Sequence, residues 1–377
     1  MSEKVNAGRQ SSRGFGPGTA RKVLYAAVSA VLLVIALFAG LIEYLTLTEY
    51  KPQERESIEI SPVYRDPISA GDTLRVLTWN CGYGALGDNA DFFMDGGKGV
   101  ITADKERVIR NLDGIIEQAT ALEPDVILFQ EVDRDSTRSH HIDEVIMLSN
   151  AYSTEDDQDY ANGFAYNFNV RFVPYPFPPI GKVQSGILTL TDTSAESAER
   201  IQLPCPFKWP VRLCNLKRCL LVERVPLQNS DKSLVLVNLH LEAYDNGEGK
   251  IAQTKMLKEI LDEEAAAGNY VIAGGDFNQT FSNTDISAYP VQDGMWAPGR
   301  IDTAEIGDGW QCLMDSSVPT CRSLDKPYQG ADPENFQYYV IDGFIVSSNV
   351  QVRSCETKDM GFVCTDHNPV LLECVLK

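Results

Sequence analysis

The chain has 377 residues, 44% of them hydrophobic, and a formal net charge of -20. That length and apolar content accommodate one large domain or two ordinary ones, and they exclude wholesale disorder. So acidic a surface repels phosphate backbones at long range, which argues against a nonspecific nucleic-acid binder, although a bound divalent metal would reverse the field locally.

Residues 1–22 carry Lys4, Arg9, Arg13, Arg21 and Lys22 against Glu3, a net of +4 that leaves -24 on the remainder. This stretch, rich in Gly, Ser and Arg, reads as a disordered cytoplasmic tail. Residues 23–42, VLYAAVSAVLLVIALFAGLI, contain no charge and have the length of a bilayer-spanning helix. Basic residues precede the run, and Glu43, Glu49, Glu54 and Glu56 follow it. The positive-inside rule then predicts a single-pass protein of the cell membrane, with the N-terminus cytoplasmic and the large C-terminal part extracellular. A cleaved signal peptide is the rival reading, but the run is long and no small-x-small site precedes Glu43. Residues 43–71 form a polar, proline-containing linker, and 72–377 the folded domain.

Thr73–Asn80 alternates into a strand that ends on Asn80, and a glycine-rich loop, Cys81–Gly99, follows. Apolar residues at helical spacing (Val108, Leu112, Ile115, Ala119) predict a helix over Ala103–Leu122. Pro124 ends it, and Asp125–Gln130 is an apolar strand delivering Glu131. The same order recurs as strand Ser233–His240, helix Lys250–Ala267 and strand Tyr270–Ala273. Hairpin-like segments lie between: Gly186–Thr191, Arg218–Val225 joined through Gln228–Lys232 to the following strand, and Val340–Ser347 with Val370–Val375. This mixture, with polar residues at strand ends, predicts an α/β fold: a two-sheet α/β sandwich with flanking helices.

The chemistry collects at those strand ends: Asn80, Glu131, His240, Asp276 with Asn278, Asp342, and Asp366 with His367. In YVIAGGDFN (270–278), Gly274 and Gly275 permit close backbone approach. Asp276 and Asn278 alternate and would share one side in extended geometry, whereas the competing reading of Gly-Asp-x-Asn is an ordinary turn. Either histidine alone is most simply a satisfied core residue; the joint pattern is harder to explain that way. Acids and amides suit Mg²⁺ (or Mn²⁺), which prefers oxygen ligands, and no zinc spacing, Walker loop or Gly-x-Ser-x-Gly elbow is present. Of nine cysteines, Cys205/Cys214, Cys312/Cys321 and Cys355/Cys364 share a nine-residue step and would close small loops if oxidised. The competing reading is nine reduced thiols.

TWN at 78–80, FQEVD at 129–133, NLHLEAY at 238–244, GGDFN at 274–278, IDGF at 341–344 and TDHNP at 365–369 occur in one order across the domain. In these words the chain resembles the endonuclease/exonuclease/phosphatase superfamily, the fold of pancreatic deoxyribonuclease and bacterial sphingomyelinases. Thr365 stands where Ser is frequent and Gly343 where an aromatic is frequent; neither departure removes a reacting group. The resemblance implies that Glu131 is the principal Mg²⁺ ligand, with Asn80 supporting the metal site and Asp366 near it. It implies that Asp276 orients the attacking water and Asn278 holds a phosphate oxygen. It further implies that His367 is a base or phosphate-stabilising imidazole held by Asp342, and that His240 stabilises the transition state or protonates the leaving oxygen.

The expected activity is therefore metal-dependent hydrolysis of a phosphoester by in-line attack of water. The acidic domain and the membrane anchor at residues 23–42 favour a phospholipid or small phosphoester over nucleic acid. An extracellular nuclease and a non-catalytic binding module on the same fold are the alternatives. A nuclease should have a basic rim at its site, and a lipid enzyme an apolar one. Nothing in the sequence calls for an obligate protein partner. Phe172–Ile180 reads as a loop that either dips into a bilayer interface or packs over a sheet edge, and His140 and His141 read as surface residues.

Overall fold

The computed structural model describes residues 17–61, 67–153 and 160–377. The expected tail over 1–16 and part of the linker, 62–66, lie outside the described residues. The chain divides into two units, Met1–Glu49 and Tyr50–Lys377.

The first unit contains helix α1, Pro17–Leu47. It encloses the uncharged run and takes in residues 17–22, which the sequence had suggested as tail. Its side chains from Val23 to Phe38 are largely exposed. The helix is long and apolar enough to cross a bilayer, a property that a signal sequence shares.

In the second unit the chain runs through β1 (Arg55–Ile58), β2 (Thr73–Asn80), α2 (Lys105–Ala121), β3 (Val126–Asp133), α3 (Glu144–Ala151), β4 (Ala161–Val173) and β5 (Gly181–Thr191). It continues through β6 (Ser197–Gln202), β7 (Cys219–Pro226), β8 (Ser233–His240), α4 (Glu248–Ala266), β9 (Tyr270–Asp276), β10 (Gln279–Phe281) and β11 (Gly299–Ile301). The last part holds α5 (Thr303–Ile306), β12 (Trp310–Leu313), β13 (Cys321–Arg322), β14 (Tyr338–Tyr339), β15 (Asp342–Ser347), β16 (Val350–Thr357) and β17 (Val370–Leu376).

Two mixed sheets carry the fold, in the orders β1-β6-β7-β8-β9-β15-β12 and β16-β17-β2-β3-β5-β4. Each contains one parallel pair, and each parallel pair is bridged by a helix: β2/β3 by α2, and β8/β9 by α4. A parallel neighbour needs such a crossover, so the repeated strand–helix–strand pattern is the sequence trace of these two units. Asp104 caps α2 by accepting from the Arg107 N–H. The expected hairpin of Val340–Ser347 with Val370–Val375 does not form. β15 pairs with β9 and β12, whereas β17 pairs with β16 and β2 in the other sheet. Apolar alternation fixes a strand's faces and leaves its partner open.

Between the sheets lies an apolar layer that includes Val76, Leu128, Leu236, Ile272, Phe344 and Val370. Outer layers pack α4 on one sheet and α2 with α3 on the other. Near the site end, buried amides interrupt the apolar layer. Gln130 Nε2 donates to Asn238 Oδ1 at 2.9 Å, and Asn238 Nδ2 donates across to the carbonyls of Leu188 (2.9 Å) and Phe129 (3.2 Å). The Gly-Gly step is required by contact. A Cβ on Gly274 would lie 2.5 Å from the Phe344 ring, and one on Gly275 would lie 1.9 Å from the Leu239 carbonyl oxygen. None of the three suggested cysteine pairs is bonded; all nine thiols are free, and seven of them are buried.

Candidate active site

The two parallel pairs end on the same rim of the sandwich, and their C-terminal ends deliver Asn80 and Glu131 from one sheet and His240 and Asp276 from the other. Such crevices beyond strand carboxyl ends are where α/β folds place ligands. Glu131 reaches the crevice because the β3/β5 register shifts between Phe129 and Val132, a bulge in which Glu131 takes φ 52°. Asn278 also adopts positive φ (51°) just beyond β9. It is therefore not in extended alternation with Asp276, and of the two readings of this stretch the tight turn is the one that forms. In that turn the Asn278 N–H donates to Asp276 Oδ1 at 2.9 Å. The side-chain Nδ2 of Asn278 donates to the Leu241 carbonyl at 3.0 Å, leaving its second hydrogen for another acceptor.

All eight predicted residues meet here. Asn80 Nδ2 donates to Asp276 Oδ2 at 3.1 Å and to Glu131 Oε1 at 3.4 Å. Its Oδ1 accepts from the Gly82 N–H, so the amide holds two carboxylates and turns its oxygen toward the loop. His240 Nε2 lies 3.3 Å from Asp276 Oδ2 and 3.9 Å from Glu131 Oε1. His367 Nδ1 is 2.9 Å from Asp342 Oδ2, and its Nε2 is 3.9 Å from Asp276 Oδ2. Asp366 follows the same turn as His367, and its Oδ1 accepts from Thr365 Oγ1 at 3.3 Å.

The enclosure shifts the protonation of these groups. Burial and the neighbouring Asp342 charge push Asp276 up to about 7. Burial also raises Glu131, with Asp366 adding to it and Arg138, His367 and Arg218 opposing. Burial raises Asp366 as well. His240 is held well below the usual histidine range by burial and by the positive charge of Arg218, so it stands as a neutral imidazole. For His367, burial lowers the value, but Asp342 more than compensates, and the imidazole is held well above its usual range. Cys321 also faces His367. Burial pushes that thiol up to about 12, so at neutral pH it is protonated and Asp342 is the anion that matters.

Several carboxylates thus share a buried space with too little positive charge to neutralise them all. An oxygen-rich, carboxylate-dominated donor set of this kind fits a hard divalent cation such as Mg²⁺ or Mn²⁺. Two groups have potential ligand atoms within 4.8 Å of one another: Asp276 with Asp342 and His367, and Cys321 with Asp366 and His367. In the first, His367 Nδ1 already engages Asp342, and that pair is better described as a hydrogen bond. Glu131 belongs to neither group and is tied to Asp276 through the Asn80 amide.

The crevice opens into a cavity of about 350 Å³. Its mouth is aromatic and apolar, with Phe92, Phe93 and Met94 from the loop after β2, Tyr175 from the β4–β5 tip, and Tyr244 with Trp296 opposite. Tyr244 Oη donates to Asp95 Oδ1 at 2.9 Å across that mouth. Burial raises Asp95 to about 6. No lysine lines the cavity among the described residues, and its arginines, Arg138, Arg218 and Arg322, have little exposure and lie inside. Sequence reasoning missed all three, because nothing in the residues around them marks their burial. Arg138 pairs with Asp133 at 3.0 Å and stacks over Tyr83 at 3.6 Å. His140, expected at the surface, is half-buried, with Nε2 2.7 Å from the Ala103 carbonyl.

The endonuclease/exonuclease/phosphatase family pattern matches residues 77–367, which span both parallel pairs and the terminal histidine. The chain belongs to the endonuclease/exonuclease/phosphatase family. Members of this family are generally phosphoesterase or nuclease hydrolases and typically use divalent metals. Among solved structures, the chain is similar to an endonuclease/exonuclease/phosphatase from Beutenbergia cavernae, with 18% identity and a TM-score of 0.52 over 81% of this chain and 72% of that one. It is also similar to a family protein from Leptotrichia buccalis, with 14% identity and a TM-score of 0.50 over 80% and 99% of the two chains. At these identities the likeness concerns the fold alone. No curated protein sequence matches the chain.

Proposed function

We propose that the protein is a membrane-tethered, Mg²⁺-dependent phosphoesterase that hydrolyses a phospholipid or another small phosphoester by in-line attack of water. The observation that carries the choice of substrate is the cavity mouth: it is built from Phe92, Phe93, Met94, Tyr175, Tyr244 and Trp296, while its cations sit inside. A polyanionic nucleic-acid strand needs exposed cations along its path, whereas an amphiphile needs apolar walls around a polar floor. Phe177, at 96% exposure beside this mouth on the β4–β5 tip, adds apolar surface of the kind that enters a bilayer interface. Helix α1 supports the tether, with the N-terminus on the cytoplasmic side and the domain outside.

Glu131 and Asp366 would hold the cation, and Asn80 would fix Glu131 against Asp276. When bound, the cation supplies charge neutralisation at the phosphoryl oxygens. Asp276 orients water and accepts its proton, and Asn278 donates its remaining amide hydrogen to a phosphoryl oxygen. The protonated His367, held by Asp342, stabilises developing negative charge, and His240 donates from Nε2 toward the leaving oxygen. The test is hydrolysis by the full chain in detergent, with Mg²⁺ or with EDTA, of sphingomyelin, glycerophospholipids, plasmid DNA and a chromogenic phosphodiester. Metal-dependent lipid cleavage that is lost in His367→Ala supports the reading. Cleavage of DNA in preference to lipid favours the nuclease, and no cleavage of any substrate sinks the lipid-hydrolase reading.

A further inference from the structure

Beyond His240 the chain leaves β8 along the cavity wall, where Glu242 and Tyr244 follow at alternate positions. Glu242 is 2% exposed. Its Oε1 accepts from the Ala243 and Tyr244 N–H groups at 3.1 and 3.2 Å, whereas Oε2 is buried without a hydrogen-bond partner. Asp95 lines the same cavity from the opposite loop, and its carboxylate accepts from Tyr244 Oη at 2.9 Å. Among the described residues, neither carboxylate is in an ion pair with a lysine or arginine.

The wall around these acids is aromatic. Tyr244, Trp296 and Tyr339 line the cavity as a connected set, with ring centroids 6.4 Å apart for Tyr244–Trp296 and 5.1 Å apart for Trp296–Tyr339. The Trp296 Nε1–H donates to the Ala243 carbonyl at 3.0 Å, which fixes the indole against the segment that carries Glu242. Trp296 already stands near one ammonium, Lys250 Nζ, 5.8 Å from its ring centroid. That charge is met by Asp245 Oδ1 at 3.7 Å and by the Ala243 carbonyl at 2.7 Å, so it does not serve Glu242. A buried carboxylate oxygen left unpaired is costly, and its retention at a cavity wall is therefore informative. Burial raises Asp95 to about 6, and the charges of Asp366 and Glu131 add to the rise, which is how an acid short of positive charge behaves. A divalent cation held by Glu131 and Asp366 would neutralise the floor of the cavity and leave the two acids nearer the mouth unserved.

We propose that Glu242, Asp95 and the wall of Tyr244, Trp296 and Tyr339 form a subsite for an ammonium group, so that the preferred phosphoester carries a cationic headgroup. The assignment rests on the phosphoesterase reading for its role in turnover, though not for binding. The carboxylates supply negative charge, and the ring faces attract an alkylated ammonium. A short alkyl arm between phosphorus and nitrogen lets the phosphoryl group lie at His240 while the ammonium lies at residues 242–244. An anionic headgroup would instead meet Asp95 and Glu242 with like charge, which rejects it.

The experiment is a titration of the full chain, in detergent with Mg²⁺ present, with choline and with neohexanol, its uncharged carbon isostere, followed by calorimetry and tryptophan fluorescence. Choline should bind at least about tenfold more tightly than the isostere. Glu242→Gln should remove most of that preference, and Trp296→Leu should weaken choline several-fold. Thermal unfolding of each variant checks that it folds. Should Glu242→Gln fail to fold, Asp95→Asn and Trp296→Leu carry the test unaided. In mixed micelles, phosphatidylcholine should show a lower KM than phosphatidylglycerol, and Glu242→Gln should narrow the gap. No choline binding by the wild type, equal affinity for choline and the isostere, or variants that bind choline as the wild type does overturns the subsite. Glu242-dependent choline binding in a chain that hydrolyses nothing would keep the subsite and reject the phosphoesterase. Hydrolysis indifferent to headgroup charge, without choline binding, would do the reverse.

Discussion

Glu223 offers a test of the physics of the core that does not depend on the activity. It lies on β7, fully buried, with neither carboxyl oxygen hydrogen-bonded. Gly163 makes room for it; a Cβ there would come within 2.2 Å of Glu223 Oε1. Burial alone raises this carboxyl from 4.5 to about 8, so it is protonated in the folded protein at neutral pH. Because the folded pKa exceeds the unfolded one, the folded state binds the extra proton. The associated stability is full below pH 4.5 and is lost as pH rises through 8. At about 1.4 kcal/mol per unit, the whole effect is about 3–5 kcal/mol. Glu223→Gln cannot ionise and should lack this dependence. Urea unfolding of the full chain in detergent, followed by tryptophan fluorescence at pH 5, 7 and 9, measures it. The variant should gain on the wild type by about 3–5 kcal/mol between pH 5 and 9. A difference between the two proteins that stays constant with pH would refute the argument.

Other outcomes follow from the site. Asp342→Asn removes the anion that keeps His367 protonated, so His367 should titrate at lower pH by NMR and turnover should fall about 10–100-fold. Asp276, raised to about 7, binds its extra proton in the folded state, and the stability that goes with it is lost as pH rises from 3.8 through 7. Asp276→Asn should accordingly raise the melting temperature at pH 8 while lowering hydrolysis by at least about 100-fold; a variant less stable at pH 8 than at pH 5, relative to wild type, contradicts this. Mg²⁺ at about 100 times its dissociation constant should stabilise the chain by about 2.7 kcal/mol, reversed by EDTA. The stabilisation should shrink in Glu131→Gln, as differential scanning fluorimetry would show.

Much of this arrangement was legible in the sequence because its carriers are local. The strand–helix–strand units announce themselves by apolar spacing, and the polar residues stand immediately after the apolar runs, as at Asn80, Glu131 and His240. The words around them identified the family. What escaped was set by long-range contact. The partner of β15 is chosen by the register of two sheets, not by any feature within Val340–Ser347. At Asn278 the sequence left both an extended run and a turn open, and the contacts beyond β9 select the turn with its positive φ. The equal spacing of the cysteine pairs was coincidental: Cys312 and Cys321 pack into separate apolar clusters, and so do Cys355 and Cys364. Arg218 was invisible for a related reason: its burial against the cavity comes from strands far apart in the chain.

The buried amides between the sheets have one more implication. Gln130 and Asn238 stand one and two residues before Glu131 and His240, and they bond to each other from opposite sheets. They act as a ruler. The 3.9 Å gap between Glu131 and His240 is set within the solid interior and is insulated from the loops above it. Those loops can accordingly be lengthened, shortened or recoloured with new side chains to suit a different substrate while the reacting groups keep their calibration. In such a molecule, chemistry and selectivity are separable inheritances.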